Sequence, residues 1–129
     1  MEERKSPPRK VKIFNWIIAL LGLWEAGDIA ALFVPNFGHI QAAVWNHILV
    51  GIFLMLLGAW GALTGNRNTA RTLDWIAAAA GAWLVLASFL LRRPIIPAAL
   101  LNDVLVGVIV LILGIWAATA APSPAPADR

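Results

Sequence analysis

The stretch Trp45 to Trp60, WNHILVGIFLMLLGAW, returns 56 positions later as LNDVLVGVIVLILGIW, Leu101 to Trp116. Seven of the sixteen aligned positions are identical: Asn46/Asn102, Leu49/Leu105, Val50/Val106, Gly51/Gly107, Leu57/Leu113, Gly58/Gly114 and Trp60/Trp116. Most of the others exchange one apolar residue for another. An upstream pair repeats as well, since Asn15 to Trp24, NWIIALLGLW, is answered at an offset of 59 by Asp74 to Trp83, DWIAAAAGAW. A chain built of one unit twice has few folds open to it. The two offsets differ by three residues, which places the length change in the connection between the halves of a unit.

Each repeated stretch is apolar over a length that suits a bilayer. The chain is 60% hydrophobic and only 13% charged, with a mean hydropathy of +0.78, which sets it apart from a soluble domain. Four apolar runs are separated by polar or proline-bearing punctuation at VPNFG, TGNRN and RRPIIP. They cover about residues 13–34, 42–63, 73–91 and 98–120. At 1.5 Å per residue the first reaches about 33 Å, enough to cross a hydrocarbon core of about 30 Å. Short connections make successive helices antiparallel, so the expected fold is all-α: a bundle of four transmembrane helices made of two tandem two-helix repeats. Because each unit holds two spans, the copies share one orientation, related by a pseudo-two-fold axis along the membrane normal.

This reading divides the chain into a flexible basic cytoplasmic tail over 1–12, a first membrane repeat over 13–64, a cytoplasmic loop over 65–72, a second membrane repeat over 73–120, and a disordered Ala/Pro tail over 121–129. The opening run is too long for the core of a signal peptide, carries acids, and lacks a small-residue cleavage site after it. With the N-terminus inside, the cytoplasmic side holds Arg4, Lys5, Arg9, Lys10, Lys12, Arg67, Arg71 and Arg129 against Arg92 and Arg93 outside. That is a positive-inside bias, with both termini cytoplasmic. The net charge of +3 therefore orients the chain in a membrane and does not point to nucleic acid, which needs a basic face on a folded surface. In this frame Trp16, Trp60, Trp75 and Trp116 lie near the inner interface as anchors.

A glycine and a tryptophan late in each odd-numbered helix, then a short loop, then an Asn and a Gly opening the even one, resemble the SPW-repeat membrane proteins. Gly22 to Trp24 and Gly81 to Trp83 match the first element, and WNHILVG and LNDVLVG match the second. The resemblance spans about residues 13–118. It departs at the Ser-Pro-Trp of the family's name, which is Ser88-Phe89 without proline in the second copy and is unrecognisable near Ile29-Ala30 in the first. It implies a multi-pass protein of a bacterial or archaeal cytoplasmic membrane with two helices per repeat. It brings no catalytic residues with it.

Polar residues inside the apolar runs are the candidates for function. They are Glu25 and Asp28 in the first span, Asn46 and His47 in the second, and Asn102 and Asp103 in the fourth. Each acid costs about 2.5 to 3.5 kcal/mol at the centre of a span, while eleven Leu, Ile, Val and Phe residues return roughly 3 to 7. Glu25 and Asp28, three apart on one face, are thus expected to face protein. Counting from the outer loops places Asp28, His47 and Asp103 at one depth, with Glu25 one turn deeper. The expectation is an outer-half cluster of Glu25, Asp28, His47 and Asp103, with His47 facing an acid across the first hairpin and Asp103 turned to His47 or reached by Arg92 or Arg93. Asn46 and Asn102, at equivalent positions, suggest packing or capping. Gly51, Gly58, Gly107 and Gly114 recur at seven-residue spacing on one helix face, a helix-packing signal.

No cysteine, nucleophile–base motif, phosphate loop or dinucleotide fingerprint occurs. One His with acids on another helix lacks metal-motif spacing. The expectation is a non-enzymatic membrane protein with no catalytic residues, no metal and no cofactor. Its partners are the lipid bilayer and other membrane subunits or a second copy. It would serve as a structural or accessory subunit of a larger, energy-converting membrane complex; the alternative is a small transporter or ligand-binding membrane protein using the acid/His cluster.

Overall fold

The computed structural model describes residues 6–27, 41–91 and 97–121. Over these the chain is all-helical: α1 (Arg9–Ala26), α2 (Gln41–Leu63), α3 (Arg67–Leu90) and α4 (Pro97–Thr119). Three of them, α2 through α4, are long and apolar enough to cross a membrane. At 23 to 24 residues each runs about 35 Å. α1 differs because its 18 described residues hold Arg9, Lys10, Lys12 and Glu25. The rest of the span read over 13–34 lies outside the described residues.

The turn between α2 and α3 is shorter than the sequence reading of a loop over 65–72. α3 already begins at Arg67. Asn66 caps it, with Oδ1 accepting from the amides of Asn68 at 2.9 Å and Thr69 at 3.4 Å. An Asn that satisfies two first-turn N–H groups is a strong helix start, so residues 67–72 join the helix although they are polar.

α1 packs along α2, and α3 along α4; α2 against α3 and α1 against α4 close a ring of four. The centre is filled from all four helices by Ile18, Leu54, Leu57, Leu73, Ala77, Leu84, Val106 and Val110. Glycine sets the intimacy of each hairpin. A Cβ on Gly22 would stand 2.5 Å from the Met55 amide nitrogen and 2.6 Å from the Gly51 oxygen. At the equivalent place in the other hairpin, a Cβ on Gly81 would stand 2.7 Å from both the Gly107 oxygen and the Leu111 nitrogen. Gly58 lies against Ala19 and Asn15, and Gly114 against Ala78 and Asp74, in the same manner. All four predicted packing glycines are thus buried at backbone-to-backbone contacts, the approach that only small residues permit.

The outside is apolar. Leu20, Leu23, Leu49, Phe53, Leu56, Leu86, Leu105 and Ile112 are among the large side chains exposed there. In water so continuous a patch is unfavourable; against lipid it is the ordinary exterior.

Candidate functional site

The polar side chains that do not face outward gather at two levels of the core. Near one end of the bundle, Glu25 comes from the last turn of α1, His47 from the second turn of α2, and Asn102 and Asp103 from the second turn of α4. Glu25, His47 and Asp103 are 2%, 3% and 2% exposed. His47 Nδ1 lies 3.0 Å from Glu25 Oε2, and His47 Nε2 lies 3.2 Å from Asp103 Oδ2. The imidazole therefore bridges carboxylates of two different hairpins. A neutral imidazole donates from one nitrogen and an imidazolium from both, so both acids are answered together when the ring carries two protons.

The acids are held from behind by Asn102. Its Nδ2 donates to Glu25 Oε1 at 3.0 Å and to Asp103 Oδ1 at 3.4 Å. Its own Oδ1 accepts from the Trp24 indole N–H at 3.0 Å. The equivalent bond exists at the other hairpin junction, where Trp83 Nε1 donates to Asn46 Oδ1 at 2.8 Å. Each repeat's Gly-x-Trp tryptophan thus reaches the asparagine of the other repeat. Asn46 and Asn102 are the sixth residues of their helices, past the capping position, so they act as inter-hairpin acceptors rather than caps. Trp24 and Trp83 are not among the sequence candidates for this role, although one such tryptophan per hairpin is the signal that points to them.

Of the four ionisable residues expected to meet, the structure brings together Glu25, His47 and Asp103. Asp28 lies outside the described residues, as do Arg92 and Arg93. The partial asymmetry of the repeats decides where the acid sits: the second copy has Leu84 where the first has Glu25, and Asp103 where the first has His47. One cluster therefore forms across both hairpins.

A second polar level, absent from the sequence candidates, lies at the opposite end. Arg67, assigned by hydropathy to a loop, is 5% exposed, and Asp74 and Asn15 are 0% and 1%. Arg67 Nη2 donates to the carbonyls of Ala117 at 2.9 Å and Ala120 at 2.8 Å, with Ala118 at 3.4 Å. A cation thus closes the C-terminus of α4, where unpaired carbonyls and the helix dipole favour it. Its Nη1 stands 3.9 Å from Asp74 Oδ2, an ion pair too long for a hydrogen bond. The Asp74 carboxylate is faced by the side chains of Arg67 and Asn15. Asn15 and Asp74 are the first residues of the repeated NW and DW pairs, and that equivalence was the legible clue.

The predicted anchors Trp16, Trp60, Trp75 and Trp116 are exposed, from 46% to 61%. Each stands toward the Arg67 end of its helix, and Trp116 stacks on Phe14 with ring centroids 5.9 Å apart. Neither a curated protein nor a solved structure matches the chain. The family model of the SPW repeat domain matches residues 10–117, spanning nearly all of the four helices. With the recurring Gly-x-Trp and Asn elements now seen to join the two hairpins, the chain belongs to the SPW repeat family.

Proposed function

We propose that this protein is a non-enzymatic, four-span membrane protein of two tandem two-helix repeats that serves as an accessory subunit in a larger membrane assembly. The observation that carries this reading is the distribution of its surface: large apolar side chains face outward along the described helices, while Asn15, Glu25, His47, Arg67, Asp74 and Asp103 are buried. Between α2 and α3 the exterior forms a wholly apolar groove lined by Leu49, Val50, Phe53, Ile76, Ala79, Ala80 and Trp83. Small residues flanked by large ones suit a neighbouring helix. Among the described residues the connection between α2 and α3, residues 64–66, is too short to hold a catalytic module. Gentle detergent extraction followed by native mass analysis tests the idea. Co-purification with other membrane subunits is expected; a protein that always runs as an isolated monomer overturns it.

The Lys/Arg bias supports a prokaryotic cytoplasmic membrane location with both termini inside. One specific observation favours a second reading, a ligand-binding or transport protein. Three buried ionisable groups from three helices converge, and intramembrane ionisable groups mark ion, proton or ligand pathways. A flux assay in proteoliposomes tests it, with loss expected in Glu25→Gln. No change in Glu25→Gln or Asp103→Asn removes this second reading.

A further inference from the structure

We propose that His47 Nε2 and the Asp103 carboxylate chelate one divalent transition-metal ion, with Glu25 holding the imidazole from its far side. The inference deepens the reading of this cluster as a binding site and rests on it. Its geometric basis is the His47–Asp103 edge. Two donors each about 2.1 Å from a metal are separated by about 3.0 Å at a right angle and about 3.4 Å at a tetrahedral one. The observed separation is 3.2 Å, within the span that two donors to one ion adopt. One oxygen from each acid and a nitrogen of His47 all lie within 4.8 Å of one another.

The surroundings are those of a metal-binding histidine. Such a ring is commonly oriented by a carboxylate that accepts the N–H of the nitrogen not bound to metal, and Glu25 Oε2 stands 3.0 Å from Nδ1. Glu25 and Asp103 are in turn both held by the Asn102 amide, itself fixed by Trp24. Two carboxylates and a neutral imidazole balance a divalent charge, which lowers the cost of burying the set. Mixed nitrogen and oxygen donors without thiolate suit manganese, iron, cobalt or zinc better than calcium or magnesium, which favour all-oxygen sets. Two protein donors leave coordination positions open to water. Because the second repeat carries Leu84 and Asp103 where the first has Glu25 and His47, there is one such site per chain.

The test uses the full chain in detergent without a polyhistidine tag and Co(II) alone as probe, read by its visible d–d absorption and by equilibrium dialysis. The expected result is one Co(II) per chain. His47→Ala and Asp103→Asn should each weaken binding by about 100-fold or more, and Glu25→Gln by about 10 to 100-fold, the range for residues that orient a ligand. Asp74→Asn, a buried acid at the other end of the bundle, should leave binding unchanged. Helical circular dichroism checks each variant, and His47→Gln replaces His47→Ala if the latter does not fold. Absence of Co(II) binding by the native chain overturns the proposal, as does binding that disappears in His39→Ala and persists in Asp103→Asn. Neither result touches the flux assay with Glu25→Gln, on which the broader reading of the site depends.

Discussion

At the scale of single residues, the two polar levels differ in what a substitution leaves behind. Removing His47 leaves the Glu25 and Asp103 carboxylates buried without the ring that bridges them, and breaking a buried charged set in this way costs about 3 to 5 kcal/mol. Removing an indole N–H instead costs only about one membrane hydrogen bond, roughly 0.6 kcal/mol. His47→Ala is therefore expected to lower the unfolding midpoint in detergent far more than Trp83→Phe, with His47→Gln between them. Trp24→Phe should cost more than Trp83→Phe, although the two bonds are equivalent. Asn102 also orients Glu25 and Asp103, whereas among the described residues Asn46 accepts only from the Trp83 indole. Equal midpoints for the two Phe variants would show that Asn102 does not organise the acids. At the other level, Arg67→Gln removes a charge that closes the end of α4 and faces Asp74. A loss of about 3 kcal/mol or more is expected, and Arg67→Lys should restore little, since an ammonium lacks the planar fork that spans several carbonyls.

At the scale of the helix pair, the glycines make a sharper test than any polar residue. The Cβ of Gly22→Ala meets backbone atoms of α2 on either side, so no rotamer change relieves it and the hairpin must open. Overpacking of this kind costs about 1 to 3 kcal/mol. Gly27→Ala meets nothing within 4 Å, so it should leave the midpoint unchanged in the same thermal melt. Matching losses for Gly22→Ala and Gly81→Ala would mark the two hairpins as mechanically equivalent; a loss in one alone would break that equivalence. Such pairing was legible in the sequence because glycine has a single physical meaning where helices touch, and a recurring glycine at seven-residue spacing names the touching face. Helix boundaries were less legible. Asn66 makes α3 start six residues before the apolar run does, because capping depends on one side chain and not on hydropathy. For the same reason the core position of Arg67, which hydropathy places in a cytoplasmic loop, is not legible locally: a buried arginine depends on the α4 carbonyls, which no pattern around residue 67 reveals. Depth counted from the outer loops puts Asp28 level with His47 and Glu25 one turn deeper, so it leaves either acid open; Glu25 is the one beside His47, and Asp28 lies outside the described residues.

At the scale of the whole molecule, the two ends of the bundle are chemically unlike, and this bears on how it sits in a membrane. The end that carries Asn15, Arg67 and Asp74 also carries the exposed Arg9 and Lys10 of α1, Arg71 of α3 and the outward tryptophans Trp16, Trp60, Trp75 and Trp116. Arg67 should be left out of the orienting charge, because its guanidinium is committed to the α4 carbonyls. The bias survives without it: Arg4, Lys5, Arg9, Lys10, Lys12, Arg71 and Arg129 still oppose only Arg92 and Arg93. Positive residues within short flanks set orientation, so the Arg67 end is expected to face the cytoplasm and the His47 end the outside. The chain contains no cysteine, so single replacements need no background removal. In intact cells, Asn36→Cys should be labelled by a membrane-impermeant maleimide while Asn68→Cys is labelled only after lysis. The reverse pattern would turn the molecule over and move the His47, Glu25 and Asp103 cluster to the cytoplasmic half. An ion entering the cluster would then come from the cytoplasm, since the cluster lies only about two helical turns from its own end of α2 and α4 and is sealed from the other by Ile18, Leu54, Leu57 and Val110.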